Sequence, residues 1–414
     1  MKILKKGLFT CFLVIFGLVL VACSSDSDTA EEETEGETTT EETGTTETTT
    51  KEAKELIIGF TGPLSGPAAL YGTETLNGLT LAVEEINADG GIEIDGQPYT
   101  VKIASLDDKY LPNEAATNAK RLVQEQNTKV VYTPHSGGVY ALQVFNEEED
   151  FIVMAYTSEP GVTDSGNSRT VRIPPRYDNY LEPFSKYAMT NFGKKIAFLP
   201  TASQYGKDWA DALRPVWEGA GGEIVFDESI DFTKDTDFQT IMTNALNSNP
   251  DTLFIGGASE PTALVLKQAR ELGFEGGFII MDQAKFDQMG AVLGGSYELL
   301  NGSVSTLPLI HSSYPATATF IENYTAKFTT KPGAEAGFHY VSLNILLDAM
   351  EIAGTVEDTE AIMAAMDEAA KNLSEDKQVY MVAGVGEDGG YELVLRMAYV
   401  ENGEVVEFTE DDLE

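Results

Sequence analysis

Cysteine is almost absent from this chain of 414 residues: there are two, Cys11 and Cys23. A disulfide framework and a cysteine-rich metal site are excluded by that scarcity. Histidine is nearly as rare, and His135, His311 and His339 stand at no metal-ligand spacing. Basic residues number 27 against 67 acidic ones, and the resulting net charge of −40 repels nucleic acid and anionic lipid. No nucleic-acid partner is expected. The apolar run Gly7 to Val21 falls short of the roughly 20 residues that a comfortable bilayer span needs.

What that run does fit is a signal segment. Lys2, Lys5 and Lys6 precede it, and it ends in Leu20-Val21-Ala22-Cys23-Ser24-Ser25. The Leu-Val-Ala-Cys run resembles the lipobox of bacterial lipoproteins. The resemblance implies a leader spanning 1–22, cleavage before Cys23 and a diacylglyceryl group on its thiol. Cys11 leaves with the leader. Residues 23–54 then read as the lipidated cysteine and a Thr/Glu-rich tether, too polar to offset its chain entropy by burial and so expected to be disordered. Such a spacer suits a protein held by its lipid on the extracellular face of a Gram-positive membrane, or in the periplasm of a Gram-negative cell.

From Glu55 onward the composition is that of a globular protein, with 42 % hydrophobic residues overall and enough chain for two domains. Strand-like runs (Glu55 to Phe60, Tyr99 to Asp108, Val130 to Thr133, Phe151 to Tyr156) alternate with helical ones (Thr73 to Asn87, Pro112 to Gln126). The pattern restarts near Ile173-Pro174-Pro175. It continues with strands Lys195 to Pro200, Glu223 to Phe226, Thr252 to Gly256 and Gly277 to Met281, and with helices Lys207 to Ala220, Asp237 to Asn247 and Glu260 to Leu272. A strand from Ser303, helices Pro315 to Phe328, Tyr340 to Ala353 and Thr359 to Asn372, and strands Tyr391 to Val400 and Glu404 to Phe408 follow. This alternation predicts an α/β protein of two doubly wound parallel sheets, whose ligands sit beyond the carboxyl ends of strands.

One stretch stands out for chemistry. Val130-Val131-Tyr132-Thr133-Pro134-His135-Ser136-Gly137-Gly138 is a strand that breaks at a proline, passes a hydroxyl and two glycines, and leads into helix at Ala141 to Phe145. Free amides at the helix start favour an anion, and a carboxylate held by Ser136 Oγ and amides near Gly137 is one reading. A Ser N-cap over a loosely packed turn is the other. Ser136 beside His135 makes no relay, because adjacent side chains point apart. With no thiol nucleophile left after processing, nothing here reads as an enzyme, and no cofactor or metal is expected.

Gly62-Pro63-Leu64-Ser65-Gly66, Tyr71-Gly72, Ile86-Asn87-Ala88-Asp89-Gly90-Gly91-Ile92, Asp107-Asp108, Gln204-Tyr205-Gly206 and Ala269-Arg270-Glu271-Leu272-Gly273 occur in that order. As a set they resemble the bacterial leucine/isoleucine/valine-type solute-binding proteins of ABC importers. The resemblance runs from about Glu55 to Phe408. It implies two lobes, 55–177 plus 307–378 and 178–306 plus 379–410, with the ligand between them and an import permease as partner. It also implies an amino-acid ligand and is read here as a monomer. Carried over by position, Ser136 holds the ligand carboxylate, and Tyr156, Thr157 and Ser158 help to hold carboxylate and ammonium. Asp282 counters the ammonium, while Tyr71 and Tyr205 cover the ligand. His135 stands where a small or sulfur residue is usual, and Glu335 where an aromatic lines the side-chain pocket. Both departures open the preference toward polar, aromatic or carboxylated side chains. Urea, short amides, aromatic acids and a sensory role remain as alternatives.

Overall fold

The computed structural model describes residues 51–413 apart from 233 and 236, with the side chain of 410 also set aside. The leader, Cys23 and the tether up to 50 lie outside the described residues. Among the described residues no helix is long and apolar enough to cross a membrane.

The first lobe is built on β1 (Lys54–Gly62), β2 (Ile92–Ile94), β3 (Gln97–Asp107), β4 (Val130–Thr133), β5 (Ile152–Ala155) and β6 (Thr170–Arg172), with helices α1 (Ala69–Ala88), α2 (Pro112–Gln126), α3 (Ser136–Gln143) and α4 (Gly161–Asp164) between them. The strands form one six-stranded sheet in the order β2-β3-β1-β4-β5-β6, parallel except for β2. The alternation of side chains sorts each strand between two cores. Tyr132 and Met154 face a core shared with α1, while Val131 and Val153 face one shared with α2 and α3. Burial on both faces explains why these strands are continuous apolar runs.

The second lobe repeats the scheme. It contains α5 (Leu181–Asn191), β7 (Lys195–Pro200), α6 (Gln204–Gly219), β8 (Glu223–Asp227), α7 (Gln239–Asn247), β9 (Thr252–Gly256), α8 (Ser259–Glu271), β10 (Gly277–Ile280), α9 (Phe286–Val292) and β11 (Ser303–Thr306). The chain then returns to the first lobe through α10 (Thr317–Phe328), α11 (Ala334–Ala353), α12 (Thr359–Asn372) and the antiparallel pair β12 (Val382–Val385) and β13 (Tyr391–Leu393). It ends in β14 (Met397–Glu401) and β15 (Glu404–Phe408), an antiparallel extension of the second sheet, whose order is β15-β14-β11-β10-β9-β7-β8.

Three expectations are corrected here. The single strand expected over Tyr391 to Val400 is two strands in different sheets, β13 and β14, because the chain crosses between lobes at 394–396. The return to the second lobe accordingly comes after Leu393 rather than at 379, since Val379, Tyr380, Val382 and Tyr391 pack in the first lobe's core. The helix after β4 begins at Ser136, five residues before the helical run read at Ala141.

Candidate ligand cleft

The carboxyl ends of β1, β3, β4 and β5 in one lobe face those of β7 and β10 in the other. Tyr71, Tyr110, Pro134, His135, Ser136, Tyr156, Thr157, Ser158, Pro174, Tyr205, Asp282, Gln283 and Lys285 close around a cavity there. Its interior gives the centre of a water-sized sphere about 30 Å³ of room. That suffices for about two waters, given that one needs roughly 10–15 Å³. A larger guest requires the walls to part.

Ser136 is the first residue of α3, and its Oγ lies 2.7 Å from Thr157 Oγ1, so that two hydroxyls from neighbouring strand ends meet in the buried cleft. The Ser N-cap reading is corrected: the cap is His135, whose Nδ1 accepts from the Gly138 amide at 2.9 Å. With Nδ1 accepting, Nε2 carries the proton and donates to Asp108 Oδ2 at 3.0 Å. Both nitrogens of His135 are therefore used by the protein, and it is the ring that lines the cavity. Gly138 is required for this cap, because a Cβ there would sit 2.8 Å from both the imidazole and Thr133 Oγ1.

From the other lobe Asp282 presents a carboxylate that is 8 % exposed. Its Oδ1 accepts from the Tyr205 hydroxyl and, at 3.0 Å, from Trp209 Nε1. Tyr71 reaches the Tyr156 carbonyl at 3.5 Å, and the Tyr156 ring packs on His339 with centroids 4.8 Å apart. Burial raises the hydroxyl pKa of Tyr71, Tyr156 and Tyr205 well above the ordinary value, so all three stay protonated donors.

Of the residues named from the sequence for ligand contact, Tyr71, His135, Ser136, Tyr156, Thr157, Ser158, Tyr205 and Asp282 line this cavity, and Gly137 and Glu335 do not. Gly137 borders an adjoining groove with Pro112, Tyr140, Glu159, Tyr177, Gln204, Asp208 and Asp211. Glu335 is fully buried behind the wall, where its Oε2 accepts from Gln288 Nε2 at 2.9 Å and its Oε1 lies 3.5 Å from Lys285 Nζ. Lys285 also donates to the Asp282 carbonyl. Sequence reasoning missed Lys285, Gln283 and Tyr110. The first two lie three and one residues after Asp282 in the loop that follows β10, and Tyr110 lies two residues after the Asp107-Asp108 pair, so proximity to motifs already noted was the available signal.

A carboxyl cluster lies behind Lys285. Burial, then the charge of Glu335, pushes Glu74 up to about 8 and Asp287 up to about 6. Burial likewise lowers His339 to about 3, leaving a neutral imidazole whose Nδ1 donates to the Glu335 carbonyl at 2.7 Å.

Residues 55–383 match the sequence model of a family described as periplasmic binding protein. The Leu/Ile/Val-binding protein BraC3 of Rhizobium johnstonii is 28 % identical over 318 residues, covering 75 % of this chain and 83 % of the relative. A branched-chain amino acid transporter substrate binding protein from Streptococcus pneumoniae, solved in complex with isoleucine, superimposes with a TM-score of 0.72 at 24 % identity, covering 85 % of this chain and 98 % of that one. A solute binding protein of an ABC transporter from Rhodopseudomonas palustris, solved with 3,4-dihydroxy benzoic acid, does so with a TM-score of 0.71 at 19 % identity, covering 86 % and 96 %. Two such lobes, a cleft at their strand ends and a family match over most of its length place this chain in the periplasmic binding protein family.

Proposed function

We propose that this protein is an extracellular solute-binding protein that captures a small α-amino acid by closing its two lobes and delivers it to the permease of an ABC importer. The observation that carries this reading is the polarity of the cavity. The Ser136–Thr157 hydroxyl pair can donate to a carboxylate from one lobe, and the Asp282 carboxylate can receive an ammonium from the other. Hydrogen bonds to charged groups contribute about 1.5–3 kcal/mol each, so a few of them reach the roughly −8 kcal/mol of a micromolar complex after ordering costs. Because each lobe holds one end of the ligand, differential affinity for the closed form drives closure. In this reading the guest is bound and not transformed, which is supported by Ser136 Oγ meeting Thr157 rather than the imidazole and by His135 being occupied by Asp108 and Gly138.

The same reading includes the lipid anchor on Cys23, the cleaved leader and a monomeric state. The leader and lipobox-like run support the first two. An aromatic or other carboxylate without an ammonium is the second reading, favoured by the Lys285 ammonium in the cavity wall and by the dihydroxybenzoate found in a protein of the same fold. Calorimetric titration with leucine, isoleucine, polar and aromatic amino acids, urea and benzoate separates the two. One-to-one binding of an α-amino acid supports the first. Binding confined to ligands without an ammonium supports the second and removes the role given to Asp282.

A further inference from the structure

Tyr110 and Gln283 line two spaces at once. One is the inner cavity. The other is a wide groove of about 540 Å³ at the cleft mouth, bounded by 65–68 and Leu111 from the first lobe and by Thr201, Phe232 and Pro261 from the second. Among the described residues no other lines both. Tyr110 belongs to the loop after β3 and Gln283 to the loop after β10, so the pair meets across the cleft, with Gln283 Nε2 donating to the Tyr110 hydroxyl at 3.1 Å.

Tyr110 is delivered there by an uncommon backbone. Lys109 and Tyr110 both adopt left-handed conformations, with φ of 56° and 65°. Consecutive residues with side chains avoid that region unless surrounding contacts hold them. Two carboxylates hold these. Asp107 Oδ1 accepts the Lys109 amide and the Leu64 amide, each at 2.9 Å, and Asp108 Oδ1 accepts the Tyr110 amide at 2.8 Å. The other oxygen of Asp108 receives His135 Nε2, and the His135 ring packs against Tyr110 with centroids 4.8 Å apart. The turn, the imidazole and the phenol form one braced unit. Burial keeps the phenol protonated, with its pKa pushed up to about 12.

We infer that Tyr110 and Gln283 form a latch between the inner cavity and the mouth groove, with Tyr110 positioned by Asp107, Asp108 and His135, and that this contact holds the lobes together. The inference goes beyond the binding reading, since it concerns the cross-lobe contact whatever the guest is. Gln288 and Lys285 make a separate cross-lobe contact, with the fully buried Glu335, and neither borders the mouth groove.

The test is hydrogen–deuterium exchange of the full chain without added ligand, which makes it independent of whether an amino acid is bound. Segments 133–139 and 280–288 face the cavity, and 195–200, in the buried β7, reports global stability. Tyr110→Phe removes only the hydroxyl, and Gln283→Leu only the amide. Each variant is expected to speed exchange in both cavity segments by about two- to ten-fold, as for one net hydrogen bond, without affecting 195–200. The double variant is expected to exchange no faster than the faster single one, because the two groups serve one contact. Unchanged exchange in the singles, multiplied effects in the double, or equal acceleration of 195–200 each overturns the latch.

Discussion

Ser136 and Asp282 are held by different means, and their substitution should fail differently. Ser136 pairs with a neutral hydroxyl, so under the proposed binding mode Ser136→Ala removes one bond to the ligand carboxylate and leaves Thr157 able to turn toward it. Calorimetry should show affinity about 10- to 100-fold weaker, the equivalent of about 1.5–3 kcal/mol, with an unchanged melting temperature; wild-type affinity would remove Ser136 from the site. Asp282 also anchors Tyr205 and Trp209, so Asp282→Asn should weaken binding at least as much and lower the melting temperature too. Glu74 gives a prediction in pH. Its carboxyl is raised from 4.5 to about 8 by burial and by Glu335, so the folded protein binds a proton more tightly than the unfolded chain. The corresponding stability is complete below about 4.5 and is lost as pH rises through about 8. Thermal melts should therefore fall across that window, and Glu74→Gln should flatten the fall and raise the melting temperature at pH 8 by a few degrees. An identical slope in the variant would contradict this.

At the scale of elements, the two Tyr-Gly pairs do the same job twice. Tyr71-Gly72 and Tyr205-Gly206 each lie in the first turn of a helix following the first strand of its lobe. A Cβ on Gly72 would lie 1.8 Å from the Pro63 carbonyl oxygen, and one on Gly206 would lie 2.0 Å from that of Thr201. The glycines let the strand-to-helix loop fold tightly, and the tyrosines before them are thereby aimed into the cleft. Gly72→Ala and Gly206→Ala should each cost about 1–3 kcal/mol in denaturant unfolding and weaken binding; full stability in either would show that the loops yield easily.

The repeated pair was readable in the sequence because strand, turn glycine and helix signals coincide. So were α2 and α12, through apolar residues at helical spacing, and β4, β7 and β9, through short apolar runs bounded by turn residues. The start of α11 was not, since Glu335 and His339 look exposed by type and are buried only because Gln288, Lys285 and the helix's own carbonyl engage them. Tyr110, Gln283 and Lys285 escaped for a related reason. Their place in the wall depends on two lobes meeting, which no local pattern encodes.

At the scale of the whole molecule, the proposed lipid anchor would tether a closing cleft to the membrane. Labelled palmitate fed to a bacterium expressing the full chain should enter the protein, and Cys23→Ala should abolish the label; label retained by the variant would place the lipid elsewhere or remove it from the account. The inner cavity holds about 30 Å³ in the closed arrangement, so the lobes must part for any amino acid to enter. The central claim is that the cleft grips both ends of an α-amino acid, carboxylate in one lobe and ammonium in the other. The most direct measurement is calorimetric comparison of the tightest-binding amino acid with its deaminated analogue, identical in carboxylate and side chain. The account predicts that the analogue binds at least about 10- to 100-fold more weakly, because the ammonium's bond is lost and Asp282 is left facing an apolar carbon. Equal or tighter binding of the analogue would contradict it.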